Sequence, residues 1–299
     1  MNKWCIAFPG REAVSKRMDS SFYQNYKEVR RLFEEAEDYI KKDITKMCYN
    51  SSSIPAEWQT LCLITHCYGI YKVFIDRYGL PDAVAGYSQG EFTACTAAGV
   101  FSFPEILELI LKLETILQEE NKKAECMYRF IDIDTSLLKE ICTLVDETGN
   151  YVCISSYISD SQTIVSGSRK HVDKVIDLAR KYGVRWVIDL KTEVAFHSPL
   201  CNTIRDKAEV YFIKQKLYQA TCPVYSCLDG KKSIVNTIIC RKLSKQINHP
   251  IQWRTIVKNM VDSGLITMYE LGPGCTVSSN SRIADDRLHC RWIGSSNEL

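Results

Sequence analysis

Gly86-Tyr87-Ser88-Gln89-Gly90-Glu91 is the stretch of this chain whose residue types and spacing can do covalent chemistry. Glycines two positions either side of a serine let the chain bend sharply with no Cβ in the way, and the hydroxyl then stands out at the top of the turn. The turn follows a short apolar strand, Ala83 to Ala85, and opens a helix of small residues, Phe92 to Ala98. The N-terminus of that helix points free N–H groups at any oxyanion formed beside it. Glycine and serine also fill ordinary turns; the flanking strand and helix favour a nucleophilic Ser88. Such a serine needs a base. Of the five histidines, His197 is the best placed, in a short loop after a strand and beside Ser198 and Pro199. His66 in an apolar helix, His171 at a helix start, His249 before a proline and His289 near the C-terminus each have an ordinary structural explanation.

The elements that must position these residues alternate. A strand at Trp4 to Phe8 is followed by a charged helix around Tyr23 to Lys41, then by a helix at Leu61 to Tyr78 leading into the serine turn. That order predicts an α/β fold around a mainly parallel sheet. After the turn, Ile106, Ile110, Leu113 and Leu117 recur at three- and four-residue spacing, one face of a helix over Pro104 to Glu119. Asn121 to Glu125 breaks the pattern and marks a boundary. From Cys126 to about Lys191 the order becomes β-α-β-β-α-β, the signature of a ferredoxin-like unit. The predicted architecture is an α/β-hydrolase-like large domain, residues 1–124 and 193–299, carrying an inserted ferredoxin-like small domain, residues 125–192.

Composition narrows the function. With 299 residues, 45% of them hydrophobic, the chain can bury a large core. Thirty-eight Lys and Arg against 36 Asp and Glu leave a formal charge of +2, so no global field draws it to nucleic acid or an anionic membrane. Fourteen cysteines are scattered, with no C-x-x-C pair and no metal-like clustering with the five histidines, which predicts buried reduced thiols and no metal site. The apolar run before Pro9 is too short for a signal peptide, and no stretch approaches the roughly 20 apolar residues that span a bilayer. A cytoplasmic protein without membrane contact is expected.

The serine turn, the inserted unit, Ala195-Phe196-His197-Ser198 and the late Gly272-Pro273-Gly274 occur in the order seen in malonyl-CoA:acyl-carrier-protein transacylases and polyketide synthase acyltransferases. The similarity runs the length of the chain. Phe8-Pro9-Gly10 resembles the family's opening segment, Gly99-Val100-Phe101-Ser102 the segment after its nucleophile helix, Ser161 to Gly167 a strand of its small domain, and Lys245 to Trp253 the segment whose glutamine supports the histidine. The resemblance implies that Ser88 attacks an acyl thioester, that His197 is the general base, and that Gln246 orients His197 through its backbone carbonyl. It also implies that the backbone N–H groups of Gln89 and Arg11 form the oxyanion hole. It implies no cofactor, and an acyl carrier protein as partner.

The chain also departs from that family. The family's arginine for a malonyl carboxylate falls on Leu113, and no arginine lies between Glu91 and Met127. The opening loop reads Arg11-Glu12-Ala13-Val14 in place of Gln-Gly-Ser-Gln; Arg11 could reach into the pocket and replace the missing charge. Tyr87 replaces a histidine expected to shape the pocket floor. Phe196 matches members that take unbranched acyl groups. The expected function is therefore a trans-acting acyl hydrolase of polyketide biosynthesis, clearing non-carboxylated acyl groups from acyl carrier proteins as proofreading. The alternative is an acyltransferase loading malonyl or a neutral acyl group from CoA onto a carrier protein.

Overall fold

The computed structural model describes residues 3–15, 18–120 and 124–299. Strand β1 (Trp4–Phe8) is apolar throughout and buried on both faces: Ile6 and Phe8 point into one core layer, Cys5 and Ala7 into the other. A continuous apolar run of this kind belongs at the centre of a parallel sheet with helices on both sides. The chain then leaves the sheet for four helices, α1 (Ser21–Asn25), α2 (Lys27–Ile40), α3 (Ile44–Tyr49) and α4 (Gln59–Tyr78). The single helix expected over Tyr23 to Lys41 is thus two, broken where Tyr26 is extended; Tyr26 stacks on Phe22 with ring centroids 5.8 Å apart. Helix α3 was not legible; its start is capped by Asp43, whose carboxylate accepts from the Lys46 N–H at 2.7 Å.

Strand β2 (Ala83–Gly86) returns beside β1, parallel and in register from Cys5–Ala83 to Phe8–Gly86. It runs into α5 (Gly90–Ala97), and α6 (Phe103–Glu120) follows. Next come β3 (Glu125–Ile131), α7 (Thr135–Val145), β4 (Val152–Tyr157), β5 (Gln162–Ser168), α8 (Arg169–Lys181) and β6 (Trp186–Asp189). These four strands make an antiparallel sheet in the order β4-β5-β3-β6. One face of that sheet is covered by α7 and α8, with Phe130, Leu138, Ile154, Val165 and Val175 in its own core. The boundary expected at Asn121 to Glu125 falls largely on residues 121–123, outside the described residues.

The remaining elements complete the first sheet: α9 (Asn202–Lys214), β7 (Val224–Tyr225), β8 (Lys232–Ser233), α10 (Asn236–Lys245), α11 (Trp253–Asp262), β9 (Thr267–Leu271), α12 (Thr276–Ala284) and β10 (His289–Ile293). Its order is β10-β9-β1-β2-β7-β8, parallel except for β8 at the edge. The α/β class is as expected. All fourteen cysteines are free thiols; Cys275 is the exposed one. No helix among the described residues is long and apolar enough to cross a membrane.

Candidate active site

The turn after β2 is built by close backbone approach. A Cβ on Gly86 would lie 1.9 Å from the Gly90 carbonyl carbon, and one on Gly90 would lie 2.2 Å from the Phe8 carbonyl oxygen, so neither position admits a side chain. Between them Ser88 is held at φ +54°, the left-handed region that non-glycine residues seldom occupy. Hydrogen bonds from Gly90 N–H to Tyr87 O (2.9 Å) and from Tyr87 N–H to Phe8 O (2.9 Å) fix the turn. Beneath it, the Glu91 carboxylate is fully buried and accepts from the Cys227 N–H at 3.0 Å, and burial pushes its pKa up to about 7.

His197 comes from the loop between β6 and α9, also at positive φ (+60°), with its N–H donating to Ile247 O at 3.0 Å. Its Nε2 lies 2.8 Å from Ser88 Oγ and its Nδ1 2.7 Å from the Gln246 carbonyl. A carbonyl can only accept, so Nδ1 carries the proton and Nε2 is left free to take the serine's. Burial drives the His197 pKa down to about 4, partly offset by the Gln246 carbonyl, so the imidazole is neutral at pH 7. The Gln246 side chain reaches back to donate to Ser88 O at 3.3 Å. Gln89 places its Oε1 2.7 Å from Ser88 Oγ. Among the described residues, neither the Gln89 N–H nor the Arg11 N–H has a hydrogen-bond partner.

Ser88 and His197 open on a pocket of about 510 Å³, its open mouth included, walled by Phe92, Ile110, Leu113, Leu117, Ile204 and Ile247. Phe196 lines it beside His197. Leu113 lines the pocket into which Ser88 and His197 open. Tyr87 does not: it is absent from the pocket wall, its hydroxyl bonded to Ser156 Oγ at 2.7 Å and its ring edge-on to Trp253 at 5.4 Å. A turn that presents Ser88 on one face must send its neighbour to the other. Arg11 does not supply a free cation either. Its guanidinium is held by Gln59 Oε1 (3.0 Å), by the Ala56 carbonyl and by the Glu114 carboxylate (3.3 Å). Glu114 and Thr60, which also line the pocket, were not singled out from sequence. The available signal was a glutamate adjoining an otherwise apolar helix face.

A serine on the strand–helix turn of a parallel sheet, backed by a histidine whose far nitrogen is bonded to a carbonyl, is the arrangement of the serine-nucleophile class of α/β enzymes. The chain belongs to the acyl transferase domain family, which matches residues 74–282. The malonyl CoA-acyl carrier protein transacylase of Bacillus subtilis (strain 168) is 26% identical over 295 residues, covering 96% of this chain and 92% of that protein. The protein of the same name from Escherichia coli (strain K12) is 26% identical over 294 residues, covering 95% and 94%. Among solved structures, the malonyl-CoA:acyl carrier protein transacylase of Xanthomonas oryzae pv. oryzae superposes with a TM-score of 0.94 at 21% identity, covering 100% of this chain and 96% of that one. A malonyl-transacylase in complex with its type II PKS acyl-carrier protein gives 0.93 at 23% identity, covering 99% and 97%. At these identities the structural likeness speaks for the fold.

Proposed function

We propose that this chain transfers a neutral acyl group from a thioester, through Ser88, to the thiol of an acyl carrier protein. The observation that carries the reading is the Ser88–His197–Gln246 carbonyl chain opening on an apolar pocket. His197 Nε2 takes the Ser88 proton as Oγ attacks the thioester carbonyl. The new C–O bond forms, the C–S bond breaks, and the proton passes from His197 to the departing thiol. The carrier thiol then gives its proton to His197 and attacks acyl-Ser88, and Ser88 regains its proton as it leaves. The unpartnered N–H groups of Gln89 and Arg11 are the oxyanion donors in this scheme, each typically worth on the order of 100-fold in rate.

Transfer is preferred here to the hydrolysis expected from sequence, because the relatives that cover nearly the whole chain are named as transacylases. Burial of Ser88 and His197, 7% and 5% exposed, also fits a site that limits water. The carrier protein as partner is supported by the solved complex of a structural neighbour with its acyl-carrier protein. We read residues 1–124 and 193–299 as an α/β-hydrolase-like domain and 125–192 as a ferredoxin-like one; the small sheet's strand order and its two helices on one face support this.

Two carriers of different mass test the acceptor. With one bearing a butyryl group and the other unloaded, butyryl is expected mainly on the second carrier, followed by mass spectrometry. Free butyrate in excess, at a rate indifferent to the second carrier, would return the hydrolase. The acyl preference is tested at Leu113. Leu113→Arg puts a cation on the pocket wall, and the ratio of malonyl to acetyl acylation of Ser88 is expected to rise about tenfold, roughly 1.4 kcal/mol. A wild type that already favours malonyl by that factor would reject the neutral substrate.

A further inference from the structure

Glu114 is the one carboxylate on the pocket wall among the described residues, and no cation lines the pocket with it. It sits on α6 directly after Leu113, with its side chain 10% exposed. Its Oε1 accepts from Thr60 Oγ1 at 2.7 Å, and its Oε2 lies 3.3 Å from Arg11 Nη2. A glutamate on an apolar wall carries a desolvation cost, so it is tolerated where partners hold it. Here they come from two other parts of the chain, Thr60 at the start of α4 and Arg11 in the loop after β1. Arg11, 19% exposed in its side chain, is thereby held in an ion pair behind the pocket wall that Glu114 lines.

We propose that Glu114 is a specificity-determining residue that excludes carboxylated acyl groups, by placing a negative charge on the pocket wall and by holding Arg11 in an ion pair. The inference rests on the acyl-Ser88 reading above and deepens it. Leu113 removes an attraction, whereas Glu114 adds a repulsion, and rejecting a competitor commonly needs both. A malonyl carboxylate entering beside Glu114 meets a like charge in a site shielded from water, and the guanidinium of Arg11 is already engaged. A neutral straight-chain acyl group meets Ile110, Leu113 and Leu117 and is indifferent to the pair.

The test is the ratio of malonyl to butyryl acylation of Ser88 in the full chain, read by intact mass after mixing with the matched CoA thioesters. Glu114→Gln keeps the shape and the Thr60 hydrogen bond, removes the charge and leaves the Arg11 charge without its ion-pair partner; the ratio is expected to rise about tenfold. Glu114→Leu, which removes the charge without any hydrogen-bonding group, should move it the same way. Adding Arg11→Gln to Glu114→Gln should take away most of the gain. A rise of less than threefold in both single variants, with adducts forming normally, overturns the inference. A glycyl thioester is the remaining arm. If it acylates the wild type faster than butyryl and Glu114→Gln abolishes that, Glu114 recognises a cation and the exclusion role is rejected. Failure of the wild type to form an adduct with any thioester overturns the acyl-serine reading itself, and the inference with it.

Discussion

Ser88→Ala is expected to eliminate the acyl-enzyme. Alanine tolerates the same backbone position as serine no better and no worse, and among the described residues the hydroxyl's hydrogen bonds are to Gln89 Oε1 and His197 Nε2, so the turn and its bracket of glycines should persist. What disappears is the pocket oxygen that lies within reach of the His197 base. Cys227, beneath the turn, cannot substitute: its thiol is buried, donates to the Gly86 carbonyl, and has its pKa pushed well up by burial. The exposed Cys275 is a chemical acceptor of another kind, and could exchange with any thioester without catalysis. The adduct must therefore be mapped to its peptide. Wild type should carry it on the peptide holding Ser88 and the variant should carry none there. A wild type that carries no adduct on that peptide, its acyl group being found only elsewhere, would reject Ser88 as the nucleophile.

His197→Ala is expected to slow acylation by several orders of magnitude, since nucleophile and base act as a unit and losing either removes most of what they do together. The pH profile separates the base from a packing role. Burial favours the neutral imidazole, so the base form survives to lower pH than an exposed histidine would allow: protonation of His197 sets in only near pH 4, against an ordinary value of about 6.5. Single-turnover acylation by wild type should stay level from pH 8 down to about 5 and fall as pH approaches 4. The residual rate of the alanine variant should lack that acid limb. A wild-type rate halved already near pH 6.5 would mean that His197 is exposed to water when the enzyme works.

The residues of the chemistry were legible because their signals are local. A Gly-x-Ser-x-Gly turn works only if two glycines clear the backbone within five residues, and both close approaches, at Gly86 and Gly90, are present. Strand β1 read correctly because a run buried on both faces is apolar at every position. The β-α-β-β-α-β order was legible for the same reason, since turns and apolar periods are short-range properties of the chain. Pairing His197 with Ser88 was different: the spacing of 109 residues carries no geometry, and the resemblance to a family supplied it.

Sequence by itself determined β1, β2 and the strands of the small sheet, the serine turn and the absence of an arginine on α6, but not β7 to β10. Tertiary structure decided what surrounds them. The stripe Ile110, Leu113, Leu117 has the same period whether it faces a core or a cavity, and only the packing of α6 beside α9 and the histidine loop makes it the wall of a pocket. Tyr87 turned to Trp253 because the direction of a side chain at a strained turn depends on the whole backbone path. Arg11 and Glu114 lie 103 residues apart, and nothing in either neighbourhood tells which charge meets which. A side chain's period is written in the few residues around it, but its partner is fixed only when distant elements are brought within a few ångströms.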